Sequence, residues 1–254
     1  MPPTPAELAR TLAAGRLPGV AHVAFRPGPH PVRHVTDPLG RVLLLVPSAG
    51  RAARALRPEP GVDDAAIVLD VPDVPPLPGA PGLGRVRISG WVSPLAGEAA
   101  REAALQYADV DPAGDLLDVG RAFTLHRVEV AEVRLERGGT TVEVDPDDYR
   151  DAEPDPLHAV EAELLADLAG HHGPELGDYL RRQLRVAGRD GGPEPPRVVR
   201  LDRYGFVVAL GAGRAPYARL AFPHPVRDRA ELARLLHPVL CRRCAGRCGR
   251  PSET

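Results

Sequence analysis

The densest cluster of reactive side chains lies at the C-terminus, where His237 precedes Cys241, Cys244 and Cys248 in the pattern His-x3-Cys-x2-Cys-x3-Cys. One imidazole and three thiolates make up the donor set of a tetrahedral zinc centre, and thiolates also hold iron–sulfur clusters. On a continuous helix the four positions form a stripe, but its ends are roughly 16 Å apart at about 1.5 Å rise per residue. One ion therefore reaches all four only if the chain folds back near Ala245-Gly246. The alternative is an Arg- and Gly-rich tail with exposed thiols. His171 and His172 end a helical segment, where an imidazolium suits the helix dipole. His34 and His126 sit in strand-like segments and read as structural. His158 follows an acidic stretch and opens a helical pattern. The chain has no nucleophile-elbow, P-loop or dinucleotide-binding motif, and its Gly82–Gly90 run, GLGRVRISG, enters a strand rather than a helix. Asp145, Asp147 and Asp148 read as a solvated spacer.

Composition narrows the classes further. The chain has 254 residues, 32 basic and 34 acidic groups, and every basic residue is Arg. A balanced charge excludes nucleic-acid binding driven by a basic field. No apolar run approaches the roughly 20 residues needed to span a bilayer, so no membrane association is expected. The first residues, MPPTPAELARTLAAGR, lack the basic flank and apolar core of a secretory signal. The expected location is cytoplasmic, where the three Cys stay reduced.

Periodicity assigns the elements that must position these groups. Thr4 caps a helix from Pro5 to Arg16. Strands are expected over Gly19–Phe25, over two segments of Val32–Val46 that flank a turn at Asp37–Gly40, and over Ala65–Val71. Ser48 caps a short helix ending at Leu56. Arg85–Val92 alternates, with Val86, Ile88 and Val92 on one face. A helix follows over Gly97–Tyr107. Leu125–Leu135 is a strand whose apolar phase slips near Ala131-Glu132, which predicts a bulge. Gly138-Gly139 turns into Thr141–Val144. The acidic, proline-bearing stretch Asp145–Pro156 marks a domain boundary. Beyond it come helices over His158–Leu168 and Leu176–Leu184, then from Arg197 a strand (RVVRLDRYGFVVAL), a Gly-containing hairpin turn and a second strand, and a helix from Asp228 to about Leu240. The expected fold class is α+β, a small closed barrel followed by an ααββα module. The expected domains are 1–150 and 157–240, with 241–254 as the Cys- and Arg-rich tail.

Two stretches of sequence carry a resemblance. The order HVTDPLGRVLLLVPS, SAGRAARAL, AAIVLDV and GRVRISGWVSPL resembles the FMN-binding-type split β-barrel of pyridoxamine 5′-phosphate oxidase-like and flavin-reductase-like proteins. DPLHAVEAELLADLAGHH, LDRYGFVVAL and ARLAFPHPVRDRAELARLL resemble the domain of unknown function DUF 2470, which is often attached to such barrels. Proteins of this two-part kind include haem-utilisation proteins of the HugZ type and plant plastid proteins that bind haem or glutamyl-tRNA reductase. The barrel-first order is that of the plant proteins.

The resemblance implies a homodimer that holds haem or another tetrapyrrole, or FMN, in a groove beside the barrel. By position it implies His158 as the haem-iron ligand, with an Arg nearby for the propionates. The competing reading of His158 is a helix-start residue packed within its own module. For FMN it implies Ser48 and Arg51 as phosphate ligands; otherwise Ser48 is a cap and Arg51 a surface residue. Three functions follow: a haem-binding protein in haem handling or degradation, an FMN-dependent oxidoreductase, or a cofactor-free protein that docks a partner enzyme. Catalytic residues are not assigned by the sequence.

Overall fold

The computed structural model describes residues 2–189, 194–211 and 216–240. Two compact units divide the chain. The barrel unit comprises Pro3–Val74 and Gly82–Pro154. The second unit comprises the chain from Asp155 onward, Pro75–Pro81 and the two N-terminal residues. Among the described residues, no helix is long and apolar enough to cross a membrane.

The barrel unit opens with helix α1 (Pro5–Ala13). Thr4 caps it as expected: the Thr4 hydroxyl accepts the Glu7 amide at 3.2 Å, and the Glu7 carboxylate accepts the Thr4 amide at 2.7 Å. Strands β1 (Gly19–Val23), β2 (His30–Thr36), β3 (Val42–Pro47), β4 (Ala65–Pro72), β5 (Arg85–Pro94) and β6 (Phe123–Arg137) are all antiparallel. They run in the order β3-β2-β1-β4-β5-β6, and pairing of β3 with β6 closes the ring. Closure removes the sheet edges that would otherwise be exposed. Strand β7 (Thr140–Val144) adds to the far end of β6. The fold is α+β, as the sequence predicts.

Alternation selects what lies inside. Val86, Ile88, Gly90 and Val92 are buried, while Trp91 faces solvent. The phase slip in β6 is a bulge: Ser89 pairs with Glu132 and Gly90 with Val130, leaving Ala131 unopposed. Gly90 is required there, because a Cβ would overlap the Glu129 carbonyl oxygen. Strand β3 is buried on both faces. Leu44 joins the interior with Leu69, Ile88 and Leu12 of α1, whereas Leu43 and Leu45 pack with Ala103 and Tyr107 of α3 (Gly97–Val110).

Two expectations for this unit need correction. Helix α2 spans Arg51–Ala55, and its N-cap is Gly50, not Ser48. The acidic stretch after β7 is not a bare spacer. Pro146–Asp151 forms helix α4, capped by the Asp145 carboxylate, and it buries Tyr149 in the barrel core. Proline at the first turn and an Asp cap favour that helix.

The second unit also departs from its reading. The predicted helix pair is one helix, α5 (Glu161–Val186), preceded by a 3-10 turn at His158–Val160 and running through Pro174. A leucine stripe buried on both sides of the proline (Leu164, Leu168, Leu176, Leu180 and Leu184) holds it continuous. The segment RVVRLDRYGFVVAL, read as one strand, is a hairpin of β8 (Arg197–Asp202) and β9 (Gly205–Ala209); β10 (Tyr217–Ala221) completes a three-stranded sheet. The Asp202 carboxylate accepts the Tyr204 amide at 2.8 Å, an Asx turn that folds the chain back. Helix α6 (Arg229–Leu240) closes the unit. Phe206 and Phe222 meet edge to face, with ring centroids 5.0 Å apart.

Candidate functional site

The residues singled out from the sequence are dispersed. Ser48 directly follows β3, and its hydroxyl shares a 2.8 Å hydrogen bond with the Thr124 hydroxyl of β6. Its amide donates to Ala122 O at 2.8 Å. Arg51 opens α2 and is exposed. Two hydroxyls and a guanidinium thus stand near one end of the β3–β6 pair.

His158 lies in the second unit, half-buried on the turn that leads into α5. The segment before it is a built junction. The Asp155 carboxylate accepts the Leu157 amide at 2.8 Å and the Arg203 amide at 2.9 Å, tying the start of α5 to the β8–β9 turn. Burial raises the Asp155 pKa to about 6, against the lowering effect of those two N–H donors.

His171 is exposed and bonds Asp167 one turn earlier, at 2.9 Å. His237 is exposed on α6, and its three proposed partners, Cys241, Cys244 and Cys248, lie outside the described residues. Among the described residues, no group of three or more His, Cys, Asp or Glu could hold a metal ion.

His34 and His126 are structural positions of an unusual kind. His34 of β2 pairs with Leu44 of β3, which pairs with His126 of β6, so the three side chains share the inward face of the barrel. His34 is 2% exposed and His126 3%. Among the described residues, neither ring nitrogen of His34 has a hydrogen-bond partner, nor does Nδ1 of His126. Desolvation pushes both pKa values down to about 4, in His126 against a hydrogen bond from its ring to the Thr124 backbone carbonyl, which raises it. Both are neutral at physiological pH and enclosed by apolar neighbours.

Sequence reasoning missed two features of the second unit. The first is a buried ion pair. Arg200 presents Nε and Nη2 to the Glu161 carboxylate at 3.2 and 3.0 Å, and Glu161 also accepts the Leu201 amide at 2.8 Å. A register shift between Val198 and Arg200 accompanies this inward Arg. The second is a groove of about 780 Å³ along α5, walled by Leu165, Leu168, Leu176, Leu180 and Val198, with Arg181 and Arg197 as its cations. Its size suits a small-molecule ligand. Among the described residues, no His, Cys, Met or Tyr lines it.

No family model matches the chain, and no curated protein matches it. The fold does match solved structures. A heme binding protein from Mycobacterium smegmatis aligns over 96% of this chain and 99% of its own, at 23% identity and a TM-score of 0.65. A protein of unknown function from Agrobacterium tumefaciens, Atu2129, covers 92% and 94% at 17% identity and TM-score 0.42. A putative pyridoxamine 5′-phosphate oxidase from Listeria innocua covers 49% and 90% at 14% identity and TM-score 0.33. The fold of this chain is thus that of a protein whose structure is described as heme binding.

Proposed function

We propose that this chain binds haem or a related tetrapyrrole, as a homodimer, in haem handling or degradation. The observation that carries the reading is the whole-length correspondence of fold, over both units, to a heme binding protein. The described residues fit such a group in part. The leucine walls of the α5 groove suit a macrocycle, and Arg197 suits one of its carboxylates, while Arg181 is paired at 3.2 Å with Asp178 of the same lining. Iron needs a donor that the groove lining does not contain. His158 lies in the same unit but outside that lining, and it is by the position implied by the resemblance that we assign it to that role. When bound, haem iron supplies oxygen activation; the protein residues hold the macrocycle, neutralise its acids and keep water from its faces.

A second reading is favoured by one local arrangement. The paired hydroxyls of Ser48 and Thr124, with Arg51 close in sequence, suit the phosphate of FMN. The deciding experiment is the absorption spectrum of the purified protein during hemin titration. A saturable Soret band at one haem per chain, lost or shifted in His158→Ala, supports the haem reading and its ligand. A band unchanged in that variant removes His158 and leaves the ligand class standing. Flavin absorbance without a Soret band supports the second reading. A colourless protein that co-purifies with an enzyme supports a docking role.

A further inference from the structure

We propose that a cleft of about 860 Å³ in the barrel unit binds an amphipathic anion, a phosphate or carboxylate head on an apolar body. The cleft lies among α1, the β2–β3 turn and α4. The key residue is Arg10, which lines it while being only 3% exposed. Its Nε donates to the Ala152 carbonyl at 3.0 Å and its Nη2 to the Asp37 carbonyl at 3.1 Å, and its guanidinium carbon stands 5.3 Å from the centre of the Tyr149 ring. All three partners are uncharged. Among the described residues Arg10 has no carboxylate within ion-pair distance. Buried charges are ordinarily paired, because desolvation is costly without a counter-charge. A guanidinium carries five N–H donors, and the two bonds above leave others for a planar oxyanion.

The other charged groups of the cleft are already committed or solvated. Arg41 donates to the Asp37 carboxylate at 2.7 Å and to Gln106 at 3.0 Å, and Arg150 pairs with Asp147 at 2.8 Å. Asp37 is saturated by Arg41, which also donates its amide at 2.9 Å. Asp151 and Glu153 are exposed. The sequestered positive charge is therefore that of Arg10. Beside it lies an apolar wall. Leu39, on the β2–β3 turn, is 61% exposed although it is a large aliphatic residue, and Val110 and Ala14 also line the cleft. The turn is held in place: Gly40 has φ +79°, and a Cβ there would stand 2.8 Å from Arg150 Cα. A buried cation without a counter-ion next to an uncovered leucine matches a ligand that is charged at one end and apolar at the other. The proposal shares no residue with the tetrapyrrole or flavin assignments and does not depend on them.

The test is calorimetric titration of the full chain with hexyl phosphate, hexanoate and inorganic phosphate at fixed ionic strength. At least one amphipathic anion is expected to saturate at one per chain and to bind more tightly than inorganic phosphate. Preference for hexyl phosphate identifies a phosphate ester, and preference for hexanoate a carboxylic acid. Arg10→Met keeps the apolar stem over Tyr149 and is expected to weaken binding by at least about tenfold, the loss of a charge-assisted hydrogen bond. Leu39→Ser is expected to weaken the amphipathic anions while leaving inorganic phosphate unchanged. Should Arg10→Met fail to fold, Leu39→Ser decides, and unchanged affinity for the amphipathic anions in that variant overturns the site. Absence of saturable binding by all three probes, or full affinity in folded Arg10→Met, overturns it as well.

Discussion

Mild acid is expected to destabilise the barrel unit through two side chains. His34 and His126 have folded pKa values of about 4, against 6.5 when solvated. The folded state therefore refuses protons that the unfolded chain accepts. Their neutral forms carry full stability above pH 6.5, and that stability is lost as pH falls toward 4. At pH 7 the linkage cost is under about 0.2 kcal/mol per histidine, and at pH 5 it reaches about 2 kcal/mol each, or about 4 kcal/mol together. Against a usual domain stability of about 5–15 kcal/mol, that is a large fraction. Urea unfolding followed by the fluorescence of Trp91, the chain's single Trp, reads the barrel unit directly, since Trp91 lies on β5. The midpoint should fall between pH 7 and pH 5 in the wild type. In the double variant His34→Leu, His126→Leu the fall should largely vanish, with each single variant removing about half of it. Wild type and double variant losing equal stability over that interval would refute the argument. The second unit should respond with the opposite sign. Asp155, raised to about 6 from 3.8, binds its proton more readily when folded, so that unit gains stability as pH falls through 6 toward 3.8.

Three further outcomes are expected. Glu161→Ala leaves the Arg200 guanidinium buried beside lost acceptors and should cost the second unit about 3–5 kcal/mol in chemical denaturation, with Glu161→Gln milder. Pro174→Ala restores a backbone donor inside α5 and should raise the helical melting temperature, by up to about 3 kcal/mol of stability if the proline strains the helix at full cost. Ser48→Ala breaks the hydroxyl pair with Thr124 at a cost of about 1 kcal/mol in stability, and under the flavin reading it should also weaken FMN binding in fluorescence titration.

The barrel was legible because its strands obey a two-residue period that burial enforces. Val86, Ile88 and Val92 point inward as their alternation requires, and even the Ala131 bulge announced itself as a slip in phase. Helix α4 was hidden by composition, since five acidic residues within Asp145–Glu153 read as solvent-facing while the single Tyr149 carries the packing. The β8–β9 hairpin was hidden because apolar residues run through it, and the turn rests on Asp202 and on Gly205, whose Cβ would overlap the Leu220 carbonyl oxygen. Glu161 and Arg200 looked like surface charges. Their burial depends on meeting a partner 39 residues away, which no local window contains. Arg10 was obscured for a related reason, in a chain where Arg is the sole basic residue type and each one looks ordinary.

The chain's second unit is not a bead that follows the first on a string. Pro75–Pro81 belongs to it, although that segment leaves and re-enters the barrel unit between β4 and β5. Leu77 packs on its core, the Pro81 carbonyl accepts from Arg200 at 3.1 Å, and the Gly79 carbonyl accepts from the Tyr217 hydroxyl at 2.6 Å. A fragment starting at Asp155 would carry the helices and the sheet but not these three contacts. During synthesis, this early segment must wait for partners made much later, 119 and 138 residues on for its two hydrogen bonds. The two units are consequently a single heritable piece: recombination or truncation at the acidic junction would separate the second unit from part of its own interior.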